Sequence, residues 1–429
     1  MEGLDRTPAP LDRQQLLAAL AEAQTAVGVC EPNPRVGCVI GDASGQVLGR
    51  GATQAVGGPH AEIMALRDAQ ANGHSVVGAT AWVTLEPCAH HGRTPPCCDA
   101  LVAAGIGRVV IGGRDPNPKV DGAGAGRLRA AGVAVAWAPE DIEQACRELN
   151  PGFFQRHEIG RPWVRMKAAL SADGRVAKPD GSSQWITGPA AREDGHRWRL
   201  RADAVLTGVG TVLADDPQLT VRLPEARRQP LRVVLDTRWR TPPTARLLSS
   251  GSPVLIVGCE PLDTAHARRL AEAGATLARV ASGPQGQVDL QALLQLLAAR
   301  EVNELHVEAG PQLNGALLDG GWVDELLLYL APRLLGDGLP PALLATGEPL
   351  AEAPRWRWHG LCPVGDDLRL LARRSTAHSR GVEAAYTAPV PARPSTGLQV
   401  LESSKTNAES TAWQNTSASG TDPACKGAS

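Results

Sequence analysis

Three residues in one stretch of the chain are of types that bind zinc, and a fourth is placed to move protons. His60 is followed by Glu62 two positions later, and Cys88 and Cys97 come further along. Zinc takes neutral imidazole and thiolate ligands, and a catalytic zinc keeps one of its four positions for water. His60, Cys88 and Cys97 therefore predict a zinc ion with one open position.

The order of these residues indicates hydrolytic deamination. A His-x-Glu pair followed by Pro-Cys and a second cysteine is the zinc deaminase signature, in which the glutamate is not a ligand. We expect Glu62 to take the proton of the zinc-bound water and to pass it to the departing amine. The signature usually has two residues between its cysteines, whereas eight separate Cys88 from Cys97.

Other functions fit parts of the same pattern. A structural zinc would need a fourth protein ligand, for which Cys98, His90 and His91 are the candidates. A nucleic-acid deaminase shares the signature but usually has the short cysteine spacer, and it would bind RNA or DNA in a salt-sensitive manner. A non-catalytic zinc-bearing scaffold protein would hold four protein ligands and release no ammonia.

The zinc ligands are expected to lie at the beginnings of helices. His60 precedes a run of good helix formers with helical spacing, and Cys97 follows two prolines and begins a run that ends at Gly105. Helix N-termini carry partial positive charge, which favours the thiolate form of Cys97.

Composition limits the remaining choices. The chain has 429 residues, too many for one compact core, and a formal net charge of −2. That charge gives no support to a general nucleic-acid or membrane surface. Nine cysteines, an odd number, fit a reducing compartment rather than a secreted disulfide framework. The polar N-terminus has no signal-peptide pattern, so we expect a cytoplasmic protein.

Apolar periodicity predicts two α/β domains, at residues 11–156 and 161–375. The first begins with a helix at Leu11 and ends with one helix over Pro139–Gln155. Its strands are predicted at Val36–Ile40, Val47–Gly51, Ala81–Leu85, Arg108–Ile111 and Val133–Ala136. The polar segment Arg156–Pro162 is predicted to be the boundary, and residues 376–429 a disordered tail because they lack apolar periodicity.

The second domain has three polar or glycine-rich segments near predicted strand ends. They begin at Gln184, at Thr207 and at Glu308. Strands are predicted at Trp163–Leu170, Ala204–Thr207, Leu231–Asp236, Val254–Gly258, Glu304–Glu308 and Glu325–Ala331. Helices are predicted at about Pro189–Arg201, Asp263–Ala273, Leu290–Ala299 and Pro311–Gly320. Gly310 and Pro311 at a helix start would present backbone N–H groups to a phosphate.

Longer motifs resemble one enzyme family. The run from Thr84 to Cys97, with its eight-residue cysteine spacer, closely resembles the deaminase domain of the bifunctional riboflavin-biosynthesis deaminase/reductase family. The segment Asn33-Pro34-Arg35-Val36-Gly37 resembles an upstream motif of that domain. Trp185-Ile186-Thr187, the run from Leu213 to Pro217 and the run from Val307 to Pro311 resemble its reductase domain.

The resemblance implies a cytidine-deaminase-like three-layer domain followed by a dihydrofolate-reductase-like domain. It implies zinc and NADPH as cofactors, a pyrimidine ribosylamino phosphate as substrate, and a homo-oligomer. Cofactor contacts are implied at Ala169, Trp185, Thr211, Asp215, Thr237, Gly310, Pro311, Gln312, Leu313, Asn314, Gly315 and Ala316. Substrate contacts are implied at Ser183, Arg199, Leu219, Arg222 and Glu308, and in the deaminase at Asn33, His90 and His91.

Overall fold

Two β-sheets, one in each half of the chain, organise the molecule. A computed structural model of the protein describes residues 10–89, 95–118, 120–345 and 353–374. Within those residues the N-terminal half has a five-stranded sheet and the C-terminal half a nine-stranded sheet. Helices connect most successive strands, which is the α/β layering that the alternating sequence periods predict.

The N-terminal sheet mixes parallel and antiparallel strands. Its strands are Gly37–Gly41 (β1), Val47–Ala52 (β2), Thr80–Val83 (β3), Arg108–Ile111 (β4) and Ala134–Trp137 (β5). Its helices are Pro10–Gln24 (α1), Ala61–Ala71 (α2), Cys97–Ala103 (α3), Ala123–Ala130 (α4), Glu140–Leu149 (α5) and Pro151–Ile159 (α6). The strand order is β2-β1-β3-β4-β5; β1 is antiparallel to both neighbours, and β3, β4 and β5 are parallel.

The C-terminal sheet is parallel over most of its width. Its strands are Trp163–Ser171 (β6), Ala204–Gly208 (β7), Leu231–Leu235 (β8), Val254–Gly258 (β9), Thr276–Arg279 (β10), Glu304–Val307 (β11), Glu325–Ala331 (β12), Trp356–Val364 (β13) and Asp367–Arg374 (β14). Its helices are Pro189–Arg201 (α7), Val209–Asp215 (α8), Ala265–Glu272 (α9), Leu290–Ala299 (α10) and Pro311–Asp319 (α11). The strand order is β10-β9-β8-β7-β11-β6-β12-β14-β13. The pairs β12–β14 and β14–β13 are antiparallel, and the other neighbouring pairs are parallel.

Parallel strands place their carboxyl ends at one edge of the sheet, where ligands of open α/β sheets bind. The segments after β7, β8 and β11 leave the C-terminal sheet at that edge. These are segments that the sequence singled out as polar or glycine-rich, or as implied cofactor contacts.

Some predicted elements differ from the structure. The single helix expected over Pro139–Gln155 is two helices, because Pro151 has no N–H to continue the first one. The second helix runs on to Ile159, so the first part of the expected boundary loop is helical. Strands β10, β13 and β14 and the short helix α8 were not predicted. The expected disordered tail lies outside the described residues.

Buried charges join the two halves of the molecule. Glu304, which is 1% exposed, accepts hydrogen bonds from Arg35 of the N-terminal half and from Arg165 and Arg201 of the C-terminal half. Burial alone would raise the pKa of Glu304, but the three guanidinium groups hold it well below its usual range. The two domains therefore share a desolvated charge cluster rather than only a surface contact.

No helix among the residues described above is both long and apolar enough to cross a membrane.

Candidate active sites

The three predicted zinc ligands converge. His60 caps the N-terminus of α2, Cys97 is the first residue of α3, and Cys88 lies in the segment after β3. Their ligand atoms all lie within 4.8 Å of one another. The His60 Nδ1 atom is 3.7 Å from Cys88 Sγ and 3.3 Å from Cys97 Sγ. A tetrahedral zinc with ordinary bond lengths needs nitrogen and sulfur atoms about 3.6 Å apart, so the donor set fits the metal.

Helix α2 is held in place by a close contact with β2. A Cβ atom on Gly51 would lie 2.5 Å from the carbonyl oxygen of Ala61, which no side chain allows. Glycine at this position therefore lets α2 lie directly on the sheet, with His60 at its beginning and Glu62 in its first turn. Glu62 is 3% exposed.

Cys98 is not placed to be a fourth ligand. Its thiol points to the carbonyl oxygens of Pro87 and Gly124, at 3.3 Å and 3.5 Å. Among the described residues, the group that can hold a metal consists of His60, Cys88 and Cys97 alone. A set of three ligands leaves a position open, as in catalytic rather than structural zinc sites. The other fourth-ligand candidates, His90 and His91, lie outside the described residues.

The charges of this site suit a metal and a proton carrier. A hydrogen bond from the Cys97 thiol, helped by His60, lowers the pKa of Cys88 and favours its thiolate form, whereas the same hydrogen bond and burial raise the pKa of Cys97, the opposite of what its helix N-terminus predicts. Burial and then the nearby Cys88 charge raise the pKa of Glu62. A carboxyl group whose pKa is raised toward neutrality is matched to both accepting and donating a proton.

A cavity of about 570 Å³ opens at these residues. Asn33 lines it together with His60, Glu62 and Cys88, so the structure places Asn33 in the predicted pocket. The walls also include groups that the sequence did not identify as part of the site. These groups are Glu86, Phe153, Arg156, His157 and, from the C-terminal half, Glu301. Asp115 and Asn117 line the cavity as well.

Asp115 is buried in the wall of this cavity. It is 7% exposed, and burial raises its pKa to about 7, with Glu86 and Cys88 adding to the effect. The sequence Asp-Pro-Asn-Pro predicts a turn, and the stretch from Asp115 to Lys119 also resembles the part of the deaminase family that borders the pocket, which agrees with this position.

The second site is built around an arginine–glutamate pair at the carboxyl end of β11. Arg199 of α7 donates from Nε and Nη2 to the carboxylate of Glu308, the latter over 2.9 Å, and from Nη1 to the carbonyl of Thr220 over 2.9 Å. Burial alone would raise the pKa of Glu308, but Arg199 holds it well below its usual range. Two of the predicted substrate residues are thus brought together.

The other predicted substrate residues lie in two segments. Leu219 is 3% exposed and has a positive φ of 55°, so it fixes the turn beside the Thr220 carbonyl. The side chain of Arg222 is exposed, and its backbone N–H donates to His196 Nδ1 over 3.4 Å. Ser183 is half-buried in the segment before Trp185.

Two helix beginnings that carry predicted cofactor residues face each other. A Cβ atom on Gly310 would lie 3.8 Å from Thr211 Oγ1, and one on Gly208 would lie 3.7 Å from Leu313. Asn314 donates to the carbonyls of Ala309 and Pro341, which fixes the start of α11, and its Oδ1 atom is buried without a partner. The remaining predicted residues here are Pro311, Gln312, Gly315 and Ala316, all in α11.

Four further cofactor predictions lie around this edge of the sheet. Ala169 is in the carboxyl-terminal part of β6, and Thr237 follows β8. Asp215 is the exposed last residue of α8. Trp185 is 59% exposed and stacks against Arg192, whose guanidinium carbon lies 4.7 Å from the ring centre. An exposed indole at this edge of the sheet is available to a ligand.

Sequence reasoning missed Lys167. This residue lies on β6, close enough to Glu308 and Arg199 for both charges to shift its pKa. Burial lowers the pKa of Lys167, Glu308 opposes that shift and Arg199 adds to it. In the sequence Lys167 is only one position of an alternating strand, because Glu308 and Arg199 lie far away along the chain.

Comparisons with known proteins cover both halves. Residues 11–113 match the family model of the cytidine and deoxycytidylate deaminase zinc-binding region, and residues 162–370 match that of the RibD C-terminal domain. The chain is 42% identical over 372 residues to the riboflavin biosynthesis protein RibD of Escherichia coli, covering 84% of this chain and 98% of the relative.

Solved structures agree with these matches. Acinetobacter baumannii RibD superposes with a TM-score of 0.77 and 39% identity, covering 85% of this chain and 99% of the other. A Thermotoga maritima protein described as a diaminohydroxyphosphoribosylaminopyrimidine deaminase/5-amino-6-(5-phosphoribosylamino)uracil reductase has a TM-score of 0.75 and 31% identity, with the same coverage. The implied deaminase-like and reductase folds are confirmed.

The donor set and the matches agree on the chemistry. The chain is an enzyme that acts on small molecules, with a zinc-dependent deaminase domain and an NADPH-dependent reductase domain. By this similarity and coverage, the chain belongs to the RibD family of bifunctional riboflavin biosynthesis proteins.

Proposed function

We propose that the chain catalyses two consecutive reactions on one phosphorylated substrate. The first is hydrolytic deamination of 2,5-diamino-6-ribosylamino-4(3H)-pyrimidinone 5′-phosphate at its 2-amino group. The second is reduction of the ribosyl side chain of that product to a ribityl chain. The convergence of His60, Cys88 and Cys97 beside a buried Glu62 is the observation that carries this proposal.

In the first reaction Glu62 moves the protons. Bound zinc, held by His60, Cys88 and Cys97, supplies the Lewis acid that makes water a nucleophile at neutral pH. The buried Glu62 carboxylate accepts the proton of the attacking water, becomes neutral as its raised pKa favours, and donates the proton to the departing ammonia. We assign Asn33, His90 and His91 to holding the pyrimidine.

In the second reaction the protein positions the ribose and protonates it. NADPH supplies the hydride that adds to C1′. The bond from C1′ to the ring oxygen breaks, and that oxygen must gain a proton. Lys167, whose pKa is lowered by burial next to the Arg199–Glu308 pair, is the group we assign to donate it. Arg222, exposed beside that pair, offers a guanidinium to the substrate phosphate.

The remaining assignments concern the cofactor site, the domain bounds and the state of the protein. We assign NADPH to the edge formed by the starts of α8 and α11, where Thr211 and Gly310 face each other. We assign Trp185 to the same cofactor site because its indole is exposed. We also assign the deaminase domain to residues 11–156 and the reductase domain to residues 161–375. We further propose a cytoplasmic enzyme that acts as a homo-oligomer and binds neither nucleic acid nor membrane.

A coupled assay on purified, zinc-loaded protein tests the proposal. The diaminopyrimidinone ribosylamino phosphate is the substrate, and ammonia release and NADPH absorbance are followed together. We expect ammonia first and NADPH oxidation after it. Ammonia without NADPH oxidation would reject the second reaction, and no ammonia from protein that holds zinc would reject the first.

A further inference from the structure

The cavity of the deaminase site is not built by the deaminase half alone. One wall is the segment from Pro32 to Pro34, which includes Asn33. Another part of the wall includes Arg156 and His157 in the last turn of α6. Glu301, which follows α10 in the C-terminal half, lines the same cavity.

Asn303, two residues after Glu301, connects these walls. Its Nδ2 atom donates to the carbonyl oxygen of Pro32 over 2.6 Å, and its Oδ1 atom accepts from Arg156 Nε over 2.6 Å. One amide side chain of the C-terminal half therefore bonds to two residues that line the deaminase cavity. Asn303 is 5% exposed, so water does not replace these bonds easily.

The backbone of Asn303 is itself fixed on three sides. Its N–H donates to Asp203 Oδ2 over 2.9 Å, and its carbonyl accepts from the Trp163 N–H over 2.8 Å. A Cβ atom on Gly152 of α6 would lie 2.3 Å from the Asn303 carbonyl oxygen, so only glycine allows α6 to approach this closely. The amide that connects the walls is thus mounted on a rigid part of the reductase sheet.

Contacts of Arg35 also join the Pro32–Pro34 segment to the C-terminal half. The guanidinium of Arg35 donates to Glu304, the neighbour of Asn303, over 2.6 Å, and to the carbonyl of Arg201 over 2.8 Å. Glu31, at the beginning of the segment, accepts from Arg35 and, over 3.1 Å, from Arg228 of the C-terminal half. The loop that carries Asn33 is therefore fastened to the reductase half at both of its ends.

We propose that Asn303 is a positioning residue of the deaminase reaction, so that the reductase domain completes the substrate pocket of the other domain. This inference rests on the proposed deaminase function. Asn303 acts through Pro32 and Arg156, by setting the distance between the walls that enclose the pyrimidine ribosylamino phosphate. Displacing a substrate by about 1 Å can cost on the order of 10²-fold in rate, so the spacing of the walls matters to catalysis.

The test compares two amide-to-leucine variants of the full chain. Asn303→Leu removes both side-chain bonds to the walls. Gln155→Leu is the matched control, because Gln155 is also buried, also lies at the α6 contact and donates to Pro162 and to Asp324 of the C-terminal half. Gln155 does not line the cavity. Asn303→Asp is a milder variant that keeps the acceptor for Arg156 and loses the donor to Pro32.

Binding is measured separately from turnover and stability. Each change is made in wild-type protein for ammonia kinetics and in Glu62→Ala protein for calorimetric binding of the diaminopyrimidinone ribosylamino phosphate, with zinc loaded throughout. We expect Asn303→Leu to raise KM and Kd by about tenfold or more. Asn303→Asp should raise both by a smaller factor. Gln155→Leu should change both by less than twofold, although its Tm falls.

The rate of NADPH oxidation is the internal reference for the deaminase measurements. NADPH oxidation with the deaminated substrate is expected to stay within twofold of wild type in Asn303→Leu and Asn303→Asp, which also shows that the C-terminal half is folded. Unchanged Kd in both Asn303 variants would overturn the inference, and so would equal losses of affinity in the Asn303 and Gln155 variants. Absence of ammonia release from the wild type would instead reject the proposed function on which the inference rests.

Discussion

The two sites of this chain are assembled in opposite ways. In the deaminase half, His60 and Cys97 lie at helix N-termini, and Cys88 is between them in sequence. Glu62 comes two residues after His60. The reductase site gathers groups from β6, α7, α8 and α11, which are far apart along the chain. A metal site needs a few donors at fixed distances, whereas a site for a large cofactor and a sugar phosphate needs an extended surface.

The sites also differ in how their charges are compensated. The lowered pKa of Cys88 favours a thiolate next to a buried carboxyl group of raised pKa, an arrangement that a cation would neutralise. At the reductase site, Arg199 and Glu308 already neutralise each other. We therefore expect single substitutions in the deaminase to remove chemistry, and those in the reductase to act on protonation, position and binding.

The largest effect is expected from Glu62→Ala. Loss of the only group that we assign to proton transfer should lower the rate of deamination by about 10²- to 10⁴-fold. Zinc content, measured by elemental analysis, should stay at the wild-type level because Glu62 is not a ligand. Deamination at the wild-type rate in this variant would remove Glu62 from the mechanism.

Lys167→Met tests the corresponding role in the reductase. Removing the proposed proton donor while keeping the length of the side chain should lower kcat for NADPH oxidation by roughly 10²-fold. Ammonia release should not change. Lys178→Met, at an exposed position, is the control and should match wild type in both assays. A normal kcat in Lys167→Met would mean that another group or water supplies the proton.

Glu304→Gln tests whether the two domains are stabilised by their shared charges. Breaking a buried ion pair typically costs about 3–5 kcal/mol, and three arginines each lose one carboxylate partner here. The exposed pair of Glu193 with Arg197 is the control, and Glu193→Gln should cost less than about 1 kcal/mol. Denaturant unfolding measures both free energies, and equal small losses would contradict the account.

The same carboxylate gives a pH dependence. Because the arginines hold the pKa of Glu304 well below its usual range, its contribution to stability is present above the pKa of an unfolded glutamate, about 4.3. The contribution is lost as the pH falls further, through the pKa in the folded protein. We expect the stability difference between wild type and Glu304→Gln to shrink below that pH.

The smallest effect is expected at the proposed NADPH site. Replacing the exposed ring of Trp185 in Trp185→Leu should raise KM for NADPH by about fivefold, since one aromatic contact contributes on the order of 1 kcal/mol. Trp358 on β13 is 69% exposed and belongs to neither site, so Trp358→Leu is a matched control. An equal KM in both variants would place the cofactor elsewhere.

The contrast between the sites also decides what the sequence could predict. The convergence of His60, Cys88 and Cys97 was predictable because ligand chemistry restricts a zinc site to a few residue types at characteristic spacings. Lys167 was not, since its neighbourhood with Glu308 and Arg199 exists only once three separate elements pack together. The contribution of Asn303 to a cavity in the other half could not be foreseen either, because sequence patterns say little about how two domains meet.

Element prediction failed for related reasons. Strand β10 is short, and β13 carries mostly exposed residues, so neither has a clear apolar pattern. The break between α5 and α6 was signalled by Pro151 but was outweighed by the helical spacing on either side of it. By contrast, β4, β9, β12, α7 and α10 were predicted with the boundaries that the structure has.

The most direct test of two separate sites working in order uses Glu62→Ala protein with zinc and NADPH. Two substrates are compared by NADPH absorbance: the diaminopyrimidinone ribosylamino phosphate and its deaminated product. We predict that the variant oxidises NADPH at the wild-type rate with the deaminated compound and at about 10²-fold or more below that rate with the other. Equal oxidation with both substrates would contradict the account, because reduction would then not depend on prior deamination.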